Sequence, residues 1–262
     1  MLKLTMIELT FDGLVATVAL NRPDSHNAFN PQMVGEITAA FQSLGSNPEV
    51  RVIVLTGNGR SFCAGADVGF MRETADYTFE ENVADGEAIF DLMQTVDNCR
   101  KAVVGRINGA AIGGGAGLTA CCDIAIAVER AKFAFSEVRL GIVPAVISPF
   151  VIAKIGPANS REFFLTGEIF LAPRAKQIGL VQHVVADEAE LDAAVQERIE
   201  QLLMAAPGAQ ADAKNLIRTV AYQPKEKMRE FTTNLIAQRR ASDEGREGMS
   251  AFLEKRRPEW QE

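Results

Sequence analysis

Histidine is scarce in this chain of 262 residues, which contains two, His26 and His183. A multi-histidine zinc centre is therefore excluded, and a serine–histidine–aspartate triad would have to recruit one of the two. His183 lies in an apolar run that is typical of a strand, so we interpret it as a structural residue. We expect no metal site.

Cysteine is also sparse, and the four thiols (Cys63, Cys99, Cys121 and Cys122) form no CxxC pair. This number is too small for a disulfide scaffold, and the spacing is not that of a redox or zinc motif. The sequence therefore predicts a reducing, cytoplasmic compartment. Cys63 lies in a run of small residues, and we interpret it as a packed side chain rather than a nucleophile.

Positive charge is in deficit, because 27 Lys and Arg stand against 34 Asp and Glu, a formal net charge of −7. Binding of nucleic acid requires clustered basic side chains, which this balance argues against. The basic stretch 255–257 is short and suits a single phosphate-bearing ligand.

Long hydrophobic runs are lacking too: the uncharged stretches 107–122 and 140–153 fall short of the roughly 20 apolar residues that span a membrane. We expect no nucleic-acid and no membrane partner.

Strand and helix patterns alternate through the first half of the chain, which predicts an α/β domain with parallel strand pairing. The predicted strands lie at 7–9, 14–20, 50–55, 102–107 and 124–127, and the predicted helices at 31–44 and 87–96. The stretch 68–86 contains five acidic residues: Glu73, Asp76, Glu80, Glu81 and Asp85. We expect this stretch to be a solvated, mobile face.

Helical patterns dominate from about residue 158, and the clearest break is Pro207-Gly208. Predicted helices lie at 161–165, 172–178, 188–205 and, beyond the break, at about 208–222, 226–241 and 243–255. We therefore divide the chain into an α/β core, 1–206, and a C-terminal helical appendage, 207–262. The mixed charge of the appendage fits surface helices or a subunit interface.

Two loops rich in small residues, 61–67 and 108–117, each follow a predicted strand. Small residues let backbone N–H groups approach a ligand closely. Where such a loop opens a helix, the unpaired N–H groups favour developing negative charge, and two of them aimed at one oxygen form an oxyanion hole. Two alternatives stay open: the glycines could serve helix–strand packing, or a dinucleotide site, although that fingerprint belongs in the first βα unit.

Five stretches of the sequence resemble, in order, the crotonase (enoyl-CoA hydratase/isomerase) superfamily, and together they cover nearly the whole chain. They are 20–23 with Asn27-Ala28-Phe29, then 61–67, 108–123, 135–141 and 252–256. The resemblance implies the crotonase fold, in which repeated ββα units form a spiral core. It also implies that the C-terminal helices join subunits into homotrimers, commonly paired as hexamers.

The resemblance also implies the roles of particular residues toward an acyl-CoA thioester. The N–H groups of Ala66 and Gly114 would form the oxyanion hole around the thioester carbonyl. The bend of the CoA moiety would be lined by Ala28, Ala64, Asp67 and Val68. Lys255, possibly from a neighbouring subunit, would reach the CoA phosphates. No cofactor is bound permanently, since CoA arrives as part of the substrate.

One departure from the family pattern bears on the reaction. Hydratases of the family carry two glutamates, and this chain has Gly117 at the first position and Glu137 at the second. We expect a hydratase that adds water to a 2-enoyl-CoA with Glu137 as acid and base. Alternatives are an isomerase or decarboxylase that uses the single glutamate, or an acyl-CoA-binding protein without catalysis. An acidic residue of 68–86 could also stand in for the missing glutamate.

The segment 141–150 is bulky where many family hydratases are rich in glycine. Together with Gly117, it resembles bacterial methylglutaconyl-CoA hydratases, which act on branched acyl chains. A carboxylate at the far end of such a chain could pair with an arginine. The candidates are Arg72 and Arg139, and the sequence does not choose between them.

Overall fold

The computed structural model describes residues 4–261, without the side chain of Val68, and shows ten strands and ten α-helices there. The strands are β1 (Ile7–Asp12), β2 (Val15–Leu20), β3 (Val52–Gly57), β4 (Ser61–Cys63), β5 (Ala102–Ile107), β6 (Ala110–Ile112), β7 (Ile124–Val128), β8 (Lys132–Ala134), β9 (Phe170–Leu171) and β10 (His183–Val185). The helices are α1 (Pro31–Ser46), α2 (Val68–Glu73), α3 (Phe79–Asp97), α4 (Gly114–Cys121), α5 (Ser148–Thr166), α6 (Ala172–Gln177), α7 (Glu188–Leu203), α8 (Pro207–Ala221), α9 (Arg229–Ala241) and α10 (Asp243–Glu254).

Two sheets share the strands. The larger sheet has the order β1-β2-β3-β5-β7-β10, and all of its pairs are parallel except the β1–β2 hairpin. The smaller sheet has the order β4-β6-β8-β9 and is parallel except at β8–β9. Each turn of the core therefore contributes one strand to each sheet and then a helix, as in β3-β4-α2, β5-β6-α4 and β7-β8-α5. This is the repeated ββα arrangement that the resemblance implies.

Helix α1 shows how local sequence determines an element of this core. The Asn30 side chain accepts a hydrogen bond from the Met33 amide, and Pro31 occupies the first turn, where its missing N–H is not needed. Apolar residues then recur at helical spacing on the buried face, among them Ile37 and Phe41. Strand β3 is buried along its whole length, as expected for a central parallel strand with both faces covered.

The stretch 68–86 exposes Glu73, Asp76, Glu80 and Glu81 to solvent, as predicted, and most of it is helical, which was not predicted. Helix α2 occupies its start, and α3 begins eight residues before the predicted helix at 87–96. The cause is a capping box: the Thr78 hydroxyl accepts from the Glu81 amide, and the Glu81 carboxylate accepts from the Thr78 amide. The acidic residues that obscured the helical pattern thus help to start the helix.

The C-terminal helices are attached to the core by partly buried polar contacts. Asp123 accepts a hydrogen bond from the Val103 amide at 2.7 Å and pairs with Lys214 of α8 at 2.6 Å. Arg51 donates to the carbonyls of Leu203 and Trp260. Within residues 4–261, no helix is long and apolar enough to cross a membrane.

Candidate functional site

A cavity of about 580 Å³ opens between the two small-residue loops, α3 and the segment before α5. Most of its lining is apolar, and the few polar side chains stand out against it. Those polar side chains are Asn30, Thr74, Asn82, Asp85, Ser136 and Glu137. An apolar cavity with a few convergent polar groups is the usual form of a small-molecule site.

Two backbone amides lie at one end of this cavity. Ala66 and Gly114 both line it, and neither amide donates a hydrogen bond to any other residue in the described part of the chain. The loop of Ala66 is held by Phe29, whose amide donates to the Gly65 carbonyl at 2.6 Å and whose carbonyl accepts from the Asp67 amide at 2.9 Å. Gly114 is the first residue of α4, so the N-terminal end of that helix dipole points into the cavity.

Glycine is required where these loops meet. Gly65 has a φ of +90°, and a Cβ there would lie 2.9 Å from the Ile112 carbonyl oxygen. A Cβ on Gly114 would lie 2.6 Å from Cε2 of Phe29, and one on Gly115 would lie 2.2 Å from the Cys63 carbonyl oxygen. Packing therefore explains several of these glycines, and the same close approach leaves the amides of Ala66 and Gly114 exposed to a ligand.

Glu137 lies beside the start of α4. It begins a short 3-10 helix, Glu137–Leu140, directly after Ser136, and its Oε1 is 3.1 Å from the position that a Cβ on Gly113 would occupy. Its Oε2 is buried and has no hydrogen-bond partner among residues 4–261. Burial raises the pKa of this carboxyl above its ordinary value. A proton-transfer group thus lies next to the two free amides.

The position of the missing glutamate, Gly117, lies inside α4 and is fully enclosed. A Cβ there would lie 2.6 Å from Cγ2 of Ile147 and 3.2 Å from Cε of Met93. No longer side chain fits without displacing these two. The first glutamate of the family pair is therefore both absent and sterically excluded.

Helix α3 supplies a second carboxylate to the cavity wall. Asp85 lines the cavity together with Asn82 and Ile89 of the same helix. Burial raises the pKa of the Asp85 carboxyl. Sequence reasoning named Asp85 only as one of five acidic residues, and the feature that distinguishes it is its helical spacing with Ile89 and Met93.

Of the other predicted ligand contacts whose side chains are described, only Ala64 lines the cavity. Asp67 caps α2 and pairs with Arg22 at 2.8 Å. Ala28 is buried, and its carbonyl accepts from Arg22 at 2.6 Å. The side chain of Val68 lies outside the described part of the chain. Lys255 ends α10 in an exposed, left-handed conformation and does not line the cavity of its own chain.

Several other candidates lie away from the cavity. Arg72 and Arg139 do not line it, and Arg139 donates instead to the Thr166 carbonyl. His183 lies in β10, as predicted, and His26 contacts the Ser61 hydroxyl at 3.0 Å. Within residues 4–261, no group of three or more His, Cys, Asp or Glu could hold a metal ion.

Comparison with known proteins assigns a family to this geometry. The family model described as enoyl-CoA hydratase/isomerase matches residues 10–262. The crotonyl-CoA hydratase of Syntrophomonas wolfei is 32% identical over 245 residues, which cover 93% of this chain and 93% of that protein.

Solved structures show the same fold. The crystal structure of an enoyl-CoA hydratase from Shewanella pealeana has a TM-score of 0.95 at 39% identity and covers 98% of this chain and 97% of that one. AtuE of Pseudomonas aeruginosa has a TM-score of 0.95 at 33% identity and covers 98% and 100% of the two chains. The predicted crotonase fold is confirmed.

Proposed function

Because the chain belongs to the enoyl-CoA hydratase/isomerase family, we propose that it adds water across the double bond of a 2-enoyl-CoA thioester. The observation that carries this proposal is the Glu137 carboxyl, which lies in an apolar cavity beside the free amides of Ala66 and Gly114. This combination suits a thioester, whose carbonyl oxygen gains negative charge when C3 is attacked and whose C2 then needs a proton.

The proposed chemistry assigns a role to each of these groups. The thioester oxygen accepts hydrogen bonds from the amides of Ala66 and Gly114, which stabilise the enolate as its charge develops. Water adds to C3, and Glu137 delivers a proton to C2. The raised pKa of Glu137 favours its protonated form at a higher pH than an exposed glutamate would allow, as suits a general acid.

The binding of CoA is the second part of the proposal. Ala28, Ala64, Asp67 and Val68 lie on or beside the loop that carries Ala66, where a thioester held by the oxyanion hole would continue into pantetheine. Lys255 does not line this cavity, and we propose that it contacts a CoA phosphate outside it, in its own or in a neighbouring subunit.

Assembly through the segment 207–262 into a trimer or a hexamer is part of this proposal. Its support is the exposed apolar side chains of the C-terminal helices, of which Phe252 is 83% and Leu253 78% exposed. Single exposed apolar residues are common, but adjacent large ones on a helix indicate a contact surface. Sedimentation of the purified protein tests this part separately.

The branched acyl chain is the finest part of the proposal. It is supported by the likeness of the segment 141–150 to methylglutaconyl-CoA hydratases and by the bulky residues Ile142, Val143 and Val146 in the cavity wall. Among the described residues, that wall contains no Arg or Lys, so a distal carboxylate would bind there without an ion pair. The Thr74 hydroxyl and the Asn82 amide would have to leave the backbone carbonyls to which they donate before they could bind it. We expect 3-methylglutaconyl-CoA to be hydrated faster than crotonyl-CoA. The opposite order would remove the branched specificity and leave the hydratase.

An isomerase is the second candidate, because the enclosed Gly117 leaves one glutamate of the usual pair. One carboxylate can remove a proton from C4 and return it to C2. Product analysis separates the two: a hydratase converts a 2-enoyl-CoA into a 3-hydroxyacyl-CoA, whereas an isomerase interconverts 2-enoyl and 3-enoyl thioesters without taking up water. Formation of a 3-enoyl thioester alone would favour the isomerase.

A further inference from the structure

We infer that Asp85 is the second catalytic carboxylate of this site and that it takes the proton of the attacking water in place of the glutamate missing at Gly117. The inference rests on the proposed hydratase function and adds a residue to it. Four observations support it: the enclosure of Gly117, the geometry of α3, the absence of partners for Asp85, and the positions of the other acidic residues.

The enclosure of Gly117 removes α4 as a source of the second carboxylate. The volume next to that position is occupied by Ile147 and Met93. From Gly114 to Cys121, moreover, α4 contains no acidic residue. A second carboxylate must therefore come from another wall of the cavity.

Helix α3 forms such a wall. Asp85, Ile89 and Met93 are spaced four residues apart, so they lie on one face of the helix. Met93 contacts the position of Gly117, and Ile89 and Asp85 line the cavity. The face of α3 that reaches position 117 through Met93, beside Ile147, therefore also carries a carboxylate into the same cavity.

Asp85 has no other evident task. Among residues 4–261, its carboxylate makes neither a hydrogen bond nor a salt bridge. Asp67 differs in this respect, since it caps α2 and pairs with Arg22. A half-buried carboxylate without partners costs free energy of solvation, and such a cost is tolerated most readily where the group serves function.

The remaining acidic residues of the stretch 73–85 do not share this position. Glu73, Asp76, Glu80 and Glu81 are absent from the cavity lining, and Glu81 is engaged in the capping box of α3. The structure therefore selects Asp85 from the five acidic side chains between which the sequence could not choose.

In the proposed step, Asp85 is ionised and Glu137 is protonated at the start. Water forms a bond to C3 as its proton passes to the ionised Asp85, and the C2–C3 π pair moves toward the thioester oxygen. Protonated Glu137 then gives its proton to C2. Asp85 is partly exposed, so it releases its proton to solvent, and Glu137 regains one. The net change is the addition of one water molecule.

The test compares two reactions of the full-length protein. One is hydration of crotonyl-CoA, which needs an activated water. The other is exchange of the C2 protons of butyryl-CoA in D₂O, which needs Glu137 and the oxyanion hole but no attacking water. The variants are Asp85→Asn, Glu137→Gln and, as a matched control on an exposed position of α3, Asp91→Asn.

We expect Asp85→Asn to lower kcat for hydration by about 10²–10⁴-fold, the usual contribution of a general acid or base, while the exchange rate stays within about threefold. Glu137→Gln should lose both reactions, and Asp91→Asn neither. A variant that fails to fold loses both as well, so retained exchange demonstrates an intact site.

The outcomes separate the inference from the function beneath it. If Asp85→Asn hydrates crotonyl-CoA with the kcat of the wild type while Glu137→Gln does not hydrate it, the role of Asp85 alone is overturned. Parallel loss of hydration and exchange in Asp85→Asn would also overturn it, because the residue would then support the fold or the thioester rather than the water. Absence of hydration in the wild-type protein would overturn the proposed function together with this inference.

Discussion

Cγ2 of Ile147 lies 2.6 Å from the point that a Cβ on Gly117 would occupy. The two residues are 30 positions apart, and they meet because α4 packs against the segment that starts α5. Position 117 therefore has no room for the glutamate side chain that hydratases of the family carry there. The space next to position 117 is filled by the apolar side chains of Ile147 and Met93.

Restoring the family's glutamate should consequently fail. We expect Gly117→Glu to lower the free energy of unfolding by at least about 3 kcal/mol, since overpacking costs about 1–3 kcal/mol and an unpaired buried carboxylate adds to that cost. Denaturant unfolding measures the change. Gly35→Glu is the control, because Gly35 lies on the exposed face of α1 with open space around its Cβ position. An unfolding free energy for Gly117→Glu equal to that of the wild type would contradict the enclosure.

Glu137→Gln should stabilise the protein at neutral pH while it removes activity. Burial raises the pKa of Glu137 in the folded state, so folding favours the protonated form. The stability that the protonated form provides is present below the unfolded-state pKa and is lost as pH rises through the folded-state value. We expect the Tm of Glu137→Gln to exceed that of the wild type by roughly 2–4 °C at pH 8 and to match it near pH 4. A lower Tm at pH 8 would contradict this account.

The four thiols should be unreactive in the folded protein. All are buried, and burial raises the pKa of Cys63 and of Cys122 to about 12 each. The thiolate is the reactive form, so a disulfide reagent at pH 8 should modify no cysteine within minutes under native conditions and four in denaturant. Rapid modification of Cys63 in the native protein would show that the loop 61–67 opens.

Asp123 should contribute strongly to the attachment of α8. Its carboxylate satisfies both the Val103 amide and Lys214. Asp123→Ala leaves the Val103 amide without this partner and removes the charge opposite Lys214, which keeps only its hydrogen bond to the Lys101 carbonyl. We expect a loss of about 2–3 kcal/mol in unfolding free energy. Asp192→Ala is the control: it breaks an ion pair with Arg106 in which Asp192 is 65% exposed, and such pairs are worth less than about 1 kcal/mol. Equal losses in the two variants would contradict the role of Asp123.

The sequence predicted most of the elements that local patterns control. Helix α1 follows from the spacing of the apolar residues after Pro31, and α8 to α10 follow from amphipathic periodicity after the Pro207-Gly208 break. The start of α3 was missed because acidic composition was interpreted as solvation rather than as helix capping. Helix α5 was predicted only over 161–165, since Gly156 and Pro157 interrupt its pattern, and Gly156 takes a φ of +75° there.

The candidate site was predictable only in part. Ala66, Gly114 and Glu137 were placed together by family resemblance, and the structure brings them to one cavity. The obstruction of position 117 by Ile147 and Met93 depends on contacts between distant parts of the chain, which no local pattern reveals. The same holds for Asp85, because a helical face can be assigned only once the start of α3 is known.

The most direct test of the central claim mixes crotonyl-CoA with the wild-type protein or with Glu137→Gln. The absorbance band of the conjugated thioester is then followed over time. We expect the wild type to bleach the band and yield 3-hydroxybutyryl-CoA, and Glu137→Gln to lower kcat by about 10²–10⁴-fold with thioester binding retained. An undiminished kcat in Glu137→Gln would contradict the claim that hydration depends on this single glutamate of the usual pair.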